Sequence, residues 1–238
     1  MTLNANSTTA KPAGQLFVVA IHIGNAGDIT TRAVETLAKV DTILCEERKN
    51  GSRLLKSLGI EKPLLELNEH NEAERIQEVI LMLAQGQSLA LISDCGTPVF
   101  SDPGKKLLQL LFEMNIKVTP LPGASSLMAA LSVCPFDLEE FLFIGFLPVK
   151  TDQRQKKLSQ LKHADYPLVL MDTPYRMQRL LQEVLQTFGK KQNIFLACDL
   201  TTPEERLYLG PIDEILTRTQ NRKAEFILIL DRPQKKLF

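Results

Sequence analysis

The segment Ser88 to Gly104, with the sequence SLALISDCGTPVFSDPG, joins an apolar strand to a dense loop. Residues 88–93 have the continuous apolar character of a strand buried on both faces. The twelve residues from Ser93 to Gly104 contain two Ser-Asp pairs, two glycines and two prolines, more than a short strand-to-helix turn needs. We predict a ligand-binding loop, in which Asp102 also serves as N-cap and Pro103 as first residue of the next helix.

The alternation of short strands with helices continues on both sides of this segment. Asp28 is a plausible N-cap for the first helix, and Asn71 with Glu74 resembles a capping box for the clearest one, which Gly86 ends. This alternation predicts βαβ units, and hence a mostly parallel sheet with both faces covered. The predicted strands are residues 16–21, 42–45, 64–67, 88–93 and 117–121. The predicted helices are 29–40, a short helix capped by Ser52 and ended by Gly59, 71–86, and one through 107–111.

Pro122-Gly123 interrupts this rhythm, and we place a domain boundary there. The expected organisation is a disordered lead-in over residues 1–14, an N-terminal α/β domain over 15–121 and a C-terminal α/β domain over 122–238. The second half has strand patterns at residues 141–147, 168–171, 194–198, 206–209 and 226–230, and helical patterns at 151–161 and 177–188.

The composition restricts the class of protein and its environment. With 28 basic and 28 acidic residues the formal net charge is zero, which argues weakly against non-specific binding to polyanions. No run approaches the roughly 20 apolar residues of a membrane span, and no signal-peptide core occurs, so we predict a cytoplasmic protein that does not bind membranes. The four cysteines and three histidines lack zinc-ligand spacing. We therefore predict small, buried, reduced cysteines and no metal.

Three loops are candidates for a ligand site, because ligands of open α/β sheets bind at the carboxyl ends of the strands. They are residues 24–28, 94–104 and 122–126. The first lacks the spacing of a phosphate-binding motif and is equally well explained as a tight turn. The third is also an ordinary helix start, with Ser125 or Ser126 as cap. The charged residues 46–49 follow the second strand and so share this edge, although such runs are usually solvated turns.

A short basic run marks the first helix of the second half. A solvated surface is the ordinary interpretation of such a run, and an RNA contact is the alternative. No aromatic residues interleave with it to stack bases. The run consists of Lys150, Arg154, Lys156 and Lys157.

Together, in this order, the three loops resemble those of the tetrapyrrole methylase superfamily. The resemblance is closest to the branch that methylates the ribose 2′-hydroxyl of a cytidine in small-subunit ribosomal RNA, and it runs from about Leu16 to Leu230. Residues 69–75 (EHNEAER) and 93–104 are its most specific parts. The other matching segments are 18–25, 27–33, 120–125 and 141–148.

This resemblance implies a class III methyltransferase fold, with two α/β domains and S-adenosyl-L-methionine in the cleft between them, commonly as a homodimer. Backbone and hydroxyl groups would bind the methionine end, and an apolar wall would hold the adenine. The residues implied for the first domain are Gly24, Asp94, Gly96, Thr97, Pro98 and Ser101. Those implied for the hinge and second domain are Ser125, Ser126, Leu200, Thr201 and Ala224.

Catalysis by such an enzyme depends on positioning and on a proton acceptor, because a ribose hydroxyl is a poor nucleophile. Our hypothesis is that Glu46 or Asp94 performs the acid–base role and that Arg48 or Arg32 orients the substrate.

Departures from the family pattern concentrate at the expected cleft and RNA face. They include His22 in place of a proline and changes at residues 47–49, 172–176 and 198–202. These departures affect the substrate prediction more than the cofactor prediction. Three functions stay open: a methyltransferase acting on ribosomal RNA or the small ribosomal subunit, a small-molecule (tetrapyrrole-like) methyltransferase, and a non-catalytic S-adenosylmethionine-binding protein.

Overall fold

A computed structural model describes residues 14–100 and 102–232 of the chain, which form two compact units. One unit contains the described chain up to His22 together with Ala26–Ser125. The other contains Ile23–Asn25 together with the described chain from Ser126 onward. The predicted lead-in lies outside the described residues except for Gly14, and the boundary drawn after residue 121 stays a prediction.

The first unit is built on a five-stranded sheet with the strand order β3-β2-β4-β1-β5. Every pairing in this sheet is parallel, which confirms the predicted βαβ organisation. The strands are β1 (Gln15–Val19), β2 (Thr42–Cys45), β3 (Leu64–Glu66), β4 (Leu89–Leu91) and β5 (Lys117–Leu121). The helices are α1 (Thr31–Lys39), α2 (Arg48–Ser57), α3 (Glu72–Ala84) and α4 (Lys105–Glu113).

The central strands of this sheet are buried on both faces. In β2, Ile43 and Cys45 belong to the core that includes α1 and α2, whereas Leu44 belongs to the core that includes α3 and α4. In β4, Ala90 faces the first of these cores and Leu91 the second. Because both faces need apolar side chains, these strands show no polar alternation, and continuous apolar runs predict them.

Local hydrogen bonds move the starts of two helices away from the predicted caps. Thr30 caps α1 instead of Asp28, and its hydroxyl accepts the Ala33 N–H at 3.1 Å. Asn71 does precede α3, but its side-chain oxygen accepts the Asn68 N–H at 2.8 Å and makes no bond to the helix. The predicted capping box is therefore absent, because the asparagine side chain stabilises the preceding turn instead.

Helix α2 begins at Arg48, so Ser52 lies inside it and is not its cap. Gly51 makes this early start possible, because a Cβ at that position would lie 3.0 Å from the Cβ and Sγ atoms of Cys45. The glycine lets the helix pack closely on β2. As a result, residues predicted to form a solvated turn instead start a helix next to the strand ends.

The second unit has a mixed five-stranded sheet with the order β6-β7-β10-β8-β9. β6 and β7 are parallel, and the other neighbouring strands are antiparallel. Its strands are β6 (Leu142–Phe146), β7 (Leu168–Asp172), β8 (Asn193–Cys198), β9 (Arg206–Pro211) and β10 (Phe226–Leu230). Its helices are α5 (Ser126–Val133), α6 (Thr151–Leu161), α7 (Met177–Phe188) and α8 (Ile212–Arg218). The predicted bounds of α6 and α7 are confirmed, whereas α8 was not predicted.

Antiparallel pairing of β10 brings three loop segments to one edge of this sheet. Phe226, the first residue of β10, pairs with Asp172 at the end of β7 and with Cys198 at the end of β8. The segments after β7 and β8 and the segment before β10 therefore lie side by side.

A buried ion pair joins α6 to α7. Arg154 is 2% exposed, and its guanidinium forms two hydrogen bonds to Glu183, at 2.5 and 2.8 Å. The guanidinium also donates to the carbonyl oxygens of Pro148 and Val149, at 3.1 and 2.7 Å. Arg154 is therefore a buried structural residue. The sequence had placed it in an exposed basic run, and it does not belong to that surface.

Replacing Glu183 with alanine should destabilise the protein by about 3–5 kcal/mol, because it leaves the Arg154 charge buried without its partner. Urea unfolding monitored by circular dichroism measures the effect. Lys157→Ala, at an exposed position of the same helix, is the control and should change stability by about 0.5 kcal/mol or less.

The hydrogen bonds from Arg154 lower the pKa of Glu183. The stability contributed by this pair is therefore present above the ordinary glutamate pKa and is lost as the pH falls through the lowered value. An unchanged urea midpoint for Glu183→Ala at pH 7 would contradict this assignment.

Candidate functional site

The carboxyl ends of β1 and β4 form the switch point of the first sheet. The two strands are neighbours, yet α1 and α4, which follow them, pack on opposite faces. Connections that leave neighbouring strands toward opposite faces open a crevice at the strand ends, where ligands of open α/β sheets bind. The segments that leave the sheet here are residues 20–22 and 92–98.

Gly96 connects these two segments. Its carbonyl oxygen accepts the Ile21 N–H at 2.9 Å, and its own N–H donates to the His22 carbonyl at 3.1 Å. Gly96 has a φ of 71°, a left-handed conformation that suits glycine. Next to it, the Thr97 hydroxyl donates to the Ala124 carbonyl at 3.1 Å. The predicted binding loops 94–104 and 122–126 are thus joined within the first unit by Thr97 and Ala124.

The loop continues through residues of unequal accessibility. Pro98 is buried, whereas Thr97 is exposed. Val99 has a φ of 70°, which is costly for a β-branched residue and marks a backbone that its surroundings hold in place. Ser101, which the resemblance assigns to the cofactor, lies outside the described residues.

The predicted roles of Asp102 and Pro103 at the start of α4 are wrong. The helix begins at Lys105, and its N-cap is Gly104 with a φ of 115°. The carboxylate of Glu72, a buried residue, accepts the Gly104 N–H at 3.1 Å and so satisfies the helix start from another element. Asp102 is free of this capping role.

Two half-buried carboxylates, Glu46 and Asp102, lie among other acidic side chains beyond the ends of β2, β3 and β4. Burial, and after it the negative charges of Asp102, Asp94 and Glu69 in that order, together raise the pKa of Glu46 to about 7. Burial also raises the pKa of Asp102 to about 6, with a second contribution from Asp94. A carboxylate that exchanges its proton near neutral pH has the property of a general base.

Hydrogen bonds hold Asp94 in this group. Its Oδ1 accepts the main-chain N–H of Glu47 at 3.2 Å, and its Oδ2 accepts the side-chain N–H of Asn50 at 2.7 Å. Asn50 also donates to the Glu47 carboxylate at 2.8 Å. From the sequence, Asp102 was expected as a cap and Glu69 as part of a family motif, and neither these two nor Asn50 was expected beside the candidate base. The available signal was their position shortly after strand ends that share one edge.

The two arginines proposed to orient substrate lie in different places. Arg48 is in the first turn of α2 and donates to the Leu64 carbonyl at 3.3 Å. It lowers the pKa of Cys45, although burial dominates and raises the pKa of that thiol to about 11. Arg32 is exposed in the first turn of α1, and no contact among the described residues joins its side chain to the carboxylates.

A second group of predicted residues meets in the second unit. A Cβ on Gly24 would lie 2.6 Å from Thr202 Cγ2, 2.8 Å from the Leu200 oxygen and 2.9 Å from Thr201 Oγ1. The Asn25 N–H donates to Thr201 Oγ1 at 3.0 Å. Gly24, Leu200 and Thr201 are therefore brought together, and only a residue without a side chain fits between them.

The loop after β8 is itself held in an unusual backbone conformation. Asp199 and Thr201 have φ values of 50° and 66°. The Glu205 carboxylate accepts the Thr201 N–H at 2.7 Å, and Arg222 forms a 2.6 Å ion pair with Asp199. A left-handed β-branched residue fixed by such contacts is typical of a functional loop.

The remaining predicted cofactor residues differ in their surroundings. Ala224 is 2% exposed and packs in the core of the second unit. Ser126 is the first residue of α5, and Ser125 precedes it as the last residue of the first unit. The predicted helix start in this loop is thus confirmed, whereas contact of these residues with a cofactor stays a prediction.

The structure also bears on the predictions about cysteines, membrane spans and metal ligands. None of the four cysteines forms a disulfide; Cys45 and Cys198 are buried and Cys134 is partly buried, but Cys95 is exposed, contrary to the expectation from the sequence. No helix in the described chain has the length and apolar character to cross a membrane. Among residues 14–100 and 102–232, no group of three or more His, Cys, Asp or Glu side chains is arranged to hold a metal ion.

The chain is similar to curated ribosomal RNA methyltransferases. The model of the family described as tetrapyrrole (corrin/porphyrin) methylases matches residues 15–216. A Synechocystis relative named ribosomal RNA small subunit methyltransferase I is 39% identical over 92% of this chain and 82% of its own. Relatives with the same name from Escherichia coli O157:H7 (34% identical; 92% and 78% covered) and Thermotoga maritima (36%; 88% and 94%) also match. These matches confirm the resemblance found in the sequence.

Solved structures show the same fold at low sequence identity. The uroporphyrin-III C-methyltransferase of Thermus thermophilus has a TM-score of 0.63 at 19% identity, and covers 92% of this chain and 95% of its own. The methyltransferase CobJ has a TM-score of 0.67 at 16% identity, with the same coverage. Both likenesses support the fold of two α/β units.

Glu46→Gln should stabilise the protein at pH 8 by roughly 1–3 kcal/mol, because the folded chain no longer carries an unfavourable buried charge. The raised pKa of Glu46 means that wild-type stability is fully present below pH 4.5 and falls as the pH rises to about 7. Urea unfolding at several pH values measures this slope.

The control for this experiment is Glu61→Gln, at an exposed position of the same unit. It should leave the pH dependence of stability unchanged. A Glu46→Gln variant with the same slope between pH 4.5 and 7 as the wild type would show that Glu46 titrates normally.

Proposed function

Because the chain belongs to the tetrapyrrole (corrin/porphyrin) methylase family, we propose that it is an S-adenosyl-L-methionine-dependent methyltransferase that methylates a ribose 2′-hydroxyl in small-subunit ribosomal RNA. The observation that carries this proposal is its identity of 34–39%, over 92% of its length, with relatives named for methylation of that RNA. The family match includes both the carboxylate group and the loop after β8.

We assign cofactor binding to main-chain and hydroxyl groups of residues 94–98 and 199–202. The carboxylates near Glu46 favour a ligand that carries a sulfonium and an ammonium charge. The strained backbone at Val99 and Thr201 supports a binding role for both loops, because such strain persists where function requires it. When bound, the cofactor supplies the methyl group for an in-line displacement.

The groups of the chain itself position the acceptor hydroxyl and receive its proton. Glu46, with a pKa of about 7, is partly deprotonated at neutral pH and able to accept this proton. Asp94 is the other candidate base. Arg48, in the first turn of α2, is better placed than Arg32 to orient the substrate, because it lies beside the strand ends that carry the carboxylates.

Exposed lysines and an exposed tyrosine support RNA as the substrate. The predicted basic run contained four residues. Arg154 is buried, but the other three, Lys150, Lys156 and Lys157, are exposed. Tyr175 is 80% exposed and has the Lys223 ammonium 5.0 Å from its ring centre. A ring with one free face stacks unpaired bases, and nearby lysines neutralise phosphates.

Assembly and location follow from the same proposal. A homodimer is the family's common form, and a protein that modifies ribosomal RNA or the small ribosomal subunit works in the cytoplasm. We infer both for this chain.

The purified protein should bind S-adenosylmethionine in calorimetry and transfer a methyl group to small ribosomal subunits from a strain that lacks the gene. Incorporation of labelled methyl into the RNA, followed by mapping of the nucleotide, measures this activity. Binding without incorporation would contradict the RNA assignment, and absence of binding would contradict the methyltransferase assignment.

Changing Lys150, Lys156 and Lys157 together to glutamine should weaken binding to small ribosomal subunits. Each lost phosphate contact should reduce the slope of log affinity against log salt concentration by roughly 0.7–0.9. Filter binding at several salt concentrations measures the slope.

The matched control is Lys190→Gln with Lys191→Gln, two exposed lysines before β8, at the opposite end of that strand from the loop 199–202. Equal losses in the two variants would show that the lysines act only through net charge.

A further inference from the structure

We infer that Asn50 is a positioning residue that holds the Asp94 carboxylate in one place, so that Glu46 and not Asp94 takes the proton from the acceptor hydroxyl. This inference rests on the proposed methyl transfer. The sequence offers both Glu46 and Asp94 as the general base, and this inference assigns that role to Glu46.

Asp94 is engaged by donors on both of its oxygens. The Glu47 N–H bonds one oxygen at 3.2 Å, and the Asn50 side chain bonds the other at 2.7 Å. The two donors belong to the start of α2, which Gly51 allows to lie against β2. These bonds hold the side chain in one orientation and occupy one acceptor site on each of its oxygens.

Glu46 has the opposite properties. Within the described chain, no hydrogen bond or ion pair engages its carboxylate, so both oxygens are available to a substrate. Glu46 follows β2 directly and is half-buried. It is thus positioned by the strand alone and keeps free acceptor sites, as a general base requires.

The position of Asp94 affects the protonation of Glu46, because Asp94 is one of several acidic groups around it. The charges that act on Glu46 come from Asp94 and Asp102 in the loop after β4, from Glu69 after β3, and from Glu47 at the start of α2. Each is negative and favours the protonated form of Glu46. Asn50, by holding Asp94 in place, sets one of these contributions.

The test measures kcat/KM for methyl transfer to small ribosomal subunits between pH 5.5 and 9, in the full chain. Glu46→Gln should lower kcat/KM by about 100-fold or more, the range of general-base catalysis. Asp94→Asn changes the proposed binding loop and should lower kcat/KM at pH 8 by less than Glu46→Gln does. It should also move the acidic limb to lower pH, because a negative charge near the base is removed.

Variants of Asn50 give a readout that a merely structural role would not. Asn50→Asp adds a negative charge beside Glu47 and Asp94 and should move the acidic limb to higher pH, opposite to Asp94→Asn. Asn50→Ala should move it toward lower pH, because Asp94 is no longer held beside Glu46. The control, Ser52→Ala at an exposed position of the same helix, should leave the limb unmoved.

The outcomes separate this inference from the function on which it rests. A wild-type protein without methyl transfer would contradict the proposed function. An active wild type overturns the inference if Asp94→Asn loses about 100-fold while Glu46→Gln retains activity, if both lose that much, or if Asn50→Asp and Asp94→Asn shift the acidic limb in the same direction. Calorimetric binding of S-adenosylmethionine by each variant distinguishes lost catalysis from lost folding.

Discussion

Parallel pairing of β1 with β4, between helices on opposite faces, is the constraint on which the first unit depends. It places two chain segments at one crevice, where their backbone groups must find partners or face water. The reciprocal bonds of Gly96 with Ile21 and His22 satisfy those groups and fix the loop in one path. The left-handed conformation of Gly96 is a consequence, since this path brings two backbones close together. The position of Thr97 beside Ala124 follows from the same path.

The carboxylates at this edge oppose stability and serve chemistry. Burial and neighbouring negative charges raise the pKa values of Glu46 and Asp102, so that ionising these two side chains costs free energy. The fold tolerates them because donors from the start of α2 hold Asp94, and because Glu46 exchanges its charge near neutral pH. Removing the charge at Glu46 therefore trades catalytic capacity for stability, as is common at active sites.

Helix α6 in the second unit carries one buried basic residue on its inner face and exposed lysines on its outer face. Arg154 faces inward and is satisfied by Glu183 and two carbonyl groups, whereas the lysines that precede and follow it face solvent. A buried pair of this kind adds specificity of packing more than net stability. The exposed lysines remain available to a polyanion, so a chain without net charge still presents a basic surface.

The sequence by itself determined the order of the strands and of every helix except α8, the parallel sheet, the three loops and the family. Continuous apolar runs and a helix-ending glycine such as Gly86 are local signals, and the structure places them as expected. Only the tertiary structure decided which acids act on one another, which residue caps α4, and that Arg154 is buried. These depend on residues far apart in the chain, such as Glu72 with Gly104 and Asn50 with Asp94, which packing of separate elements brings into contact. Local sequence patterns do not predict such long-range contacts. They indicate the periodicity of one element and not which elements lie next to it in the fold.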